Sequence, residues 1–139
     1  MELCRIIWHV FSLQTMMVFQ FKSIAMVNYI YEIDVAHPPR RPEIVEKMLL
    51  EALLLVRNHA HLRVIKVIHG YGSSGQGGQT KETVRNWAYV NRKQLVDTID
   101  GEHYSIFDAK TQSLRNECGQ LFDPDLENSN PGVTLLWIR

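Results

Sequence analysis

Cysteine is nearly absent from this sequence. Cys4 and Cys118 alone build no disulfide framework and, by themselves, no four-ligand zinc site. Net charge is absent as well: 15 basic and 15 acidic residues cancel with histidine neutral, which weighs against a strongly basic nucleic-acid binder. No clean apolar run reaches the ~18 residues that span a bilayer. The greasiest stretch, residues 3–21, is broken by Arg5, His9, Ser12, Gln14, Thr15 and Gln20. A basic start and a small-residue cleavage site, the marks of a signal peptide, are not evident. The thiols therefore read as reduced, and the expected compartment is the cytoplasm, with no membrane partner.

What is present reads as one domain. At 139 residues there is little room for a second, and a 45% apolar fraction excludes disorder as a global class. Residues 1–26 form an N-terminal extension with three readings: a misassigned start with Met26 as the natural one, a peripheral packing helix, or a membrane or export element. Residues 27–139 carry the domain.

Residues 27–35 are β-branched and aromatic, and predict a strand. The prolines that follow end it, and Pro42 suits the first turn of a helix over 43–58. Ile44, Met48, Ala52 and Leu55 share one face of that helix, widened by Val45, Leu49 and Val56. Residues 62–69 predict a second strand, 80–93 a helix facing inward with Val84, Trp87 and Val90, and 95–99 a third strand. Residues 106–118 predict a helix with Phe107, Leu114 and Cys118 facing in and Gly119 as its stop. The chain closes on a strand over 132–138. The order β-α-β-α-β-α-β predicts an α/β fold, a mixed sheet with parallel strand pairs and right-handed crossovers.

In open α/β sheets ligands bind beyond the carboxyl ends of the strands. If the first two strands are parallel, Asp34, His37 and His69 lie at one edge. The histidines are candidates for general acid and base near neutral pH, and Asp34 for the group that orients one of them. A backbone-bonded turn histidine and a capping aspartate are the plain alternatives. Gly70, Gly72, Gly75, Gly77 and Gly78 let backbone N–H groups approach an anion and lead into a helix N-terminus. Lys81 and Arg85 on its first turns, with Arg40 and Arg41 beside the first helix, are the candidate phosphate contacts. Tyr71, at a glycine-flanked tip, is placed to stack on a base. Gly70 to Gly75 spells GxGxxG, but the domain is short for a two-halved dinucleotide fold, and no Gly-Lys-Ser/Thr follows to make a P-loop. His59 and His61 are two apart without a third ligand nearby, and read as surface residues; no metal site is predicted.

Val67-Ile68-His69-Gly70-Tyr71-Gly72, followed by a glycine-rich turn and a helix, resembles the HGxG segment of the small MutS-related (Smr) domain. Ile33-Asp34-Val35 before an amphipathic helix is similar to that family's opening LDLHG segment, and Asn130-Pro131-Gly132-Val133-Thr134 to its closing one. The resemblance covers residues 28–139. It implies a two-layer α/β sandwich like the C-terminal domain of translation initiation factor three, and nucleic-acid binding, with nicking or RNA cleavage in some members. DNA or RNA, and the ribosome, are the partners it implies. Family nucleases carry Asp-x-His at the end of the first strand; here Ala36 takes the histidine position and His37 follows. An acidic insertion over about 100–130 is a second departure.

Three functions stay open: a nucleic-acid-binding domain with endonuclease activity, a non-catalytic RNA- or ribosome-associated module, and a nucleotide or phosphometabolite binder using the glycine loop. Cleavage of RNA through its own 2′-hydroxyl needs no cofactor, whereas DNA calls for a water and a divalent metal that Asp34 helps to hold. Charge is unevenly spread: +3 over residues 42–98 and −4 over 99–139, so a neutral chain can still present a basic edge. For the extension, the intact mass of the natively expressed protein decides: a mass starting at Met26 supports the misassigned start, and one starting at Met1 rejects it.

Overall fold

Four short segments, the two central ones buried on both faces, make a four-stranded sheet. The computed structural model describes residues 26–72 and 78–139; the extension up to residue 25, and Gly75 and Gly77 of the loop, lie outside the described residues. Strands β1 (Ile30–Asp34), β2 (Val64–Ile68), β3 (Leu95–Asp100) and β4 (Val133–Ile138) alternate with helices α1 (Pro42–Asn58), α2 (Gln79–Val90) and α3 (Ala109–Cys118). The spatial order is β1-β2-β4-β3. Only β1 and β2 run parallel; β4 is antiparallel to both its neighbours. The expected parallel pairs thus reduce to one, because 119–132 returns along the sheet without a crossover helix of its own before β4.

α1 and α2 cover one face in a two-layer α/β sandwich. Val45, Leu49, Ala52, Leu53 and Val56 of α1 meet Ile65, Val67, Leu136 and Ile138 of the sheet, with Val84 and Trp87 of α2. The buried stripe of α1 is therefore rotated from the predicted one: Ile44 and Leu55 are exposed, since Leu53 completes the stripe in their place. Val90, expected inside, also faces out, at the end of α2 where Asn91 caps the helix.

The other sheet face is covered by the 101–131 segment. Tyr104, Leu114, Leu121 and Leu126 pack on Tyr29, Val64, Ile99, Leu135 and Trp137. α3 starts later than its pattern suggests, because Asp108 caps it by accepting the Thr111 N–H at 2.9 Å. Phe107 consequently falls before the helix and is 83% exposed, not inward.

One cation anchors this segment. Lys66 lies mid-strand in β2 and is buried, with Nζ 2.9 Å from Asp123, 2.5 Å from Asp125 and 3.2 Å from Glu32. Burial opposes its charge, but the hydrogen bonds and charge of Asp125 and Asp123 prevail and raise its pKa well above the ordinary lysine value. Among the described residues no helix is long and apolar enough to cross a membrane.

Lys66→Met leaves the buried Asp123 without a counter-charge and is expected to cost about 3–5 kcal/mol of stability. Urea denaturation measures the loss, and hydrogen exchange should show it concentrated in residues 119–131. Unchanged protection there would contradict the anchoring role.

Candidate functional site at the carboxyl edge of the parallel pair

Asp34 ends β1 directly opposite Ile68 of β2, so the two chain segments that follow emerge at the same edge. After Asp34 the chain turns instead of extending. Asp34 Oδ1 accepts the N–H groups of Ala36 and His37, each at 2.9 Å, a side-chain-closed turn typical of aspartate. That turn swings the His37 ring back, and its Nδ1 lies 2.9 Å from Asp34 Oδ2. On a straight strand a one-residue shift sends a side chain to the opposite face; the turn removes that penalty, and histidine at 37 reaches the aspartate.

The pair is open to solvent, with the His37 side chain 70% exposed and that of Asp34 39%. Partial burial pushes the Asp34 carboxyl up, but the Ala36 N–H, the His37 imidazole and the His37 N–H together hold it below the usual carboxylate range. Asp34 is thus ionised at neutral pH and favours a proton on His37 Nδ1, leaving Nε2 with a free lone pair when the ring is neutral. Both carboxylate oxygens are engaged in this way.

The other histidine is different in kind. His69 is 2% exposed. Its Nδ1 lies 3.1 Å from the Gly70 carbonyl and its Nε2 2.9 Å from Thr134 Oγ1. A carbonyl only accepts, which assigns the proton to Nδ1 and makes Nε2 the acceptor of the threonine hydroxyl. Burial lowers its pKa, and Lys81 and Arg85 add to that against the Gly70 carbonyl and Asp100. His69 is a neutral, fully bonded structural group, and the geometry gives it no free nitrogen for proton transfer.

Its backbone builds the edge. The N–H groups of His69 and Gly70 both donate to the Gly132 carbonyl, at 2.9 and 3.1 Å. Gly70 has φ +71°, and a Cβ there would stand 3.5 Å from Ala36 Cβ and 3.9 Å from His37 Cε1. Only glycine takes this left-handed turn without strain. A Cβ on Gly132 would stand 3.2 Å from Asn130 Oδ1 and 3.4 Å from the Gly70 backbone, so the turn into β4 lies close against the end of β2.

The basic residues divide. Lys81 is buried, and its Nζ donates to Glu102 at 2.7 Å and to the Pro131 carbonyl at 3.2 Å. Arg85 pairs with Asp100 at 2.9 Å. Both face carboxylates from the acidic segment: Lys81 is enclosed by its partners, while the Arg85 side chain stays half exposed with donors to spare. Arg41 stays exposed, and Arg40 holds a buried Nε with no hydrogen-bond partner. Tyr71 is exposed and Gly72 lies beside Gly78, whose Cβ would sit 3.4 Å from the Gly72 Cα. Among the described residues no group of three or more His, Cys, Asp or Glu gathers to hold a metal.

Sequence reasoning did not find Thr134. Its signal was there, a lone hydroxyl in an otherwise apolar closing strand. Comparison with protein-family models, curated proteins and solved structures finds no match to this chain.

The lowered pKa of His69 has a direct consequence. As pH falls below the ordinary histidine value of 6.5, the unfolded chain takes up a proton before the folded one does. The contribution is complete above about pH 6.5 and drains away as pH drops through the folded value. Urea denaturation between about pH 5 and 8 should show a shallower acid loss in His69→Gln than in the parent chain. Equal slopes would mean that the folded protein protonates His69 as readily as the unfolded chain does.

Proposed function

We propose that this chain is a nucleic-acid-binding domain of the Smr type, in which His37, oriented by Asp34, promotes cleavage of a phosphodiester bond. One observation carries the reading: an exposed imidazole held at Nδ1 by an ionised carboxylate, beside a glycine turn at the open edge of the sheet. A carboxylate-oriented imidazole is the arrangement of a general base.

An RNA strand asks least of these residues, since it brings its own nucleophile. Arg40, Arg41 and the backbone N–H groups of Tyr71 and Gly72 hold the phosphate, and the Tyr71 ring stacks on a neighbouring base. His37 Nε2 removes the proton of the 2′-hydroxyl while Asp34 stabilises the imidazolium that forms. The 2′-oxygen bonds to phosphorus and the 5′-oxygen leaves, taking a proton from water. The products are a 2′,3′-cyclic phosphate and a 5′-hydroxyl, and His37 returns its proton to solvent. Asp34 Oδ1 is committed to two backbone N–H groups and Oδ2 faces the His37 ring, so the residue serves the imidazole first, and a metal-dependent route on DNA would have to share Oδ2 with it. A cytoplasmic, ribosome-associated setting belongs to the same proposal.

A second reading has its own support. With His69 sealed and Lys81 and Arg85 paired to carboxylates, the edge has one proton-transfer group and a thin cationic rim. That composition also suits a module that binds RNA without cutting it.

Incubation of the purified chain with structured RNA, with and without divalent metal, separates the two. The cleavage reading predicts product, a loss of about 10²–10⁴-fold in His37→Ala, and RNA binding that survives this substitution. Binding without any cleavage establishes the module instead, and absence of binding to RNA and DNA alike overturns both.

A further inference from the structure

The end of the sheet remote from Asp34 and His37 carries a second set of donors. Between the last turn of α1, the start of β2 and the end of β4 lies a cleft of about 370 Å³. Leu62 and Ile138 contribute apolar wall, and Arg57, His59, Arg63 and Arg139 line it with polar groups. The five residues of β2 separate this cleft from the His37 edge by roughly 16 Å.

Each guanidinium here is positioned by a neutral acceptor. Arg57 Nη1 donates to the Gln94 side-chain oxygen at 2.5 Å. Arg63 donates to the Leu62 carbonyl at 2.7 Å and to that of Ala60 at 3.2 Å. Arg139 Nη2 donates to the Leu95 carbonyl at 3.4 Å. None of the three meets a carboxylate among the described residues, in contrast to Lys66, Lys81, Arg85 and Lys110. A guanidinium has five donors, so most remain to be used. The imidazole adds another: His59 Nδ1 accepts the N–H groups of His61 and Leu62 at 3.1 and 3.2 Å, which assigns its proton to Nε2.

The side chains offer donors and no anionic acceptor. The negative end of the α1 dipole and Glu117, which shares a neighbouring pocket with Arg63, offset part of this charge, and a cationic surplus from the arginines remains. We infer that this cleft binds a terminal phosphate monoester carried on a nucleotide, through Arg57, Arg63, Arg139 and His59. A monoester carries about 1.5–2 negative charges near neutral pH, closer to the cationic surplus than the single charge of an internal diester. Arginine forks suit its oxygens, and a guanidinium plane can stack on the face of a base. The source is a free nucleotide or the 5′ end of a strand. Neither Asp34 nor His37 lines the cleft, so this inference stands whether or not the chain cleaves RNA.

Calorimetric titration of the full chain tests it, using AMP, adenosine, and one short single-stranded RNA with either a 5′-phosphate or a 5′-hydroxyl. The inference predicts binding that depends on the monoester and weakens about tenfold or more in Arg57→Gln/Arg63→Gln, while Lys47→Gln, exposed and roughly 15 Å away along α1, leaves it unchanged. A gain from the 5′-phosphate on RNA assigns the strand end, and AMP binding without that gain assigns the free nucleotide. Equal affinity with and without the phosphate, or phosphate-dependent binding that the double variant does not weaken, overturns it.

Discussion

A single buried ammonium holds the edge of this protein in order. Lys66 draws Asp123 and Asp125 onto the sheet, and a continuous set of hydrogen bonds runs on from there. Asp125 accepts from the Asn130 amide at 2.8 Å, and Asn130 Oδ1 accepts the Gly132 N–H at 2.9 Å. The Gly132 carbonyl takes the N–H groups of His69 and Gly70, and Gly70 turns beside Ala36 and His37. Fully satisfied buried polar networks fix one arrangement in a way apolar packing alone does not. The turn that forms the floor of the candidate site is therefore set by a charge on the far face of the sheet.

The same logic accounts for the neutrality of the chain. Much of the acid in the C-terminal third is turned inward or onto specific cations: Asp123 and Asp125 on Lys66, Glu102 on Lys81, Asp100 on Arg85. Two of the cations that the sequence offers for phosphate, Lys81 and Arg85, are thus engaged by carboxylates. Arginines without a carboxylate partner among the described residues remain at both ends of the parallel pair, Arg40 and Arg41 at one and Arg57, Arg63 and Arg139 at the other. A molecule with no net charge thus presents two local cationic regions, and the proposed binding of nucleic acid is expected to be modest and salt-sensitive.

Periodicity made the element order legible, down to the third strand and the closing one. It fell short where a neighbour decides the outcome. The buried stripe of α1 includes Leu53 and excludes Ile44 because the strands beneath set the helix rotation. Only one strand pair is parallel, because 119–132 returns without a crossover helix, a matter of tertiary path. The shared edge for Asp34, His37 and the start of the glycine loop followed from β1 and β2 being parallel. The burial of His69 was within reach too: alternation places it on the side of Ile65 and Val67, facing α1 and α2. The pairing of Lys81 and Arg85 was not, since ion pairs across 15 or 21 residues of sequence leave no local pattern. Lys66, a lysine mid-way along an apolar strand, was the clearest sign that acid would arrive from elsewhere.

The most direct test is a long-range nitrogen–proton NMR spectrum of the histidine rings, recorded with and without RNA. The account predicts that added RNA shifts His37 Nε2, while His69 keeps its proton on Nδ1 and its Nε2 bonded to Thr134 throughout. RNA that leaves His37 unmoved, or a His69 ring that responds in its place, would contradict it.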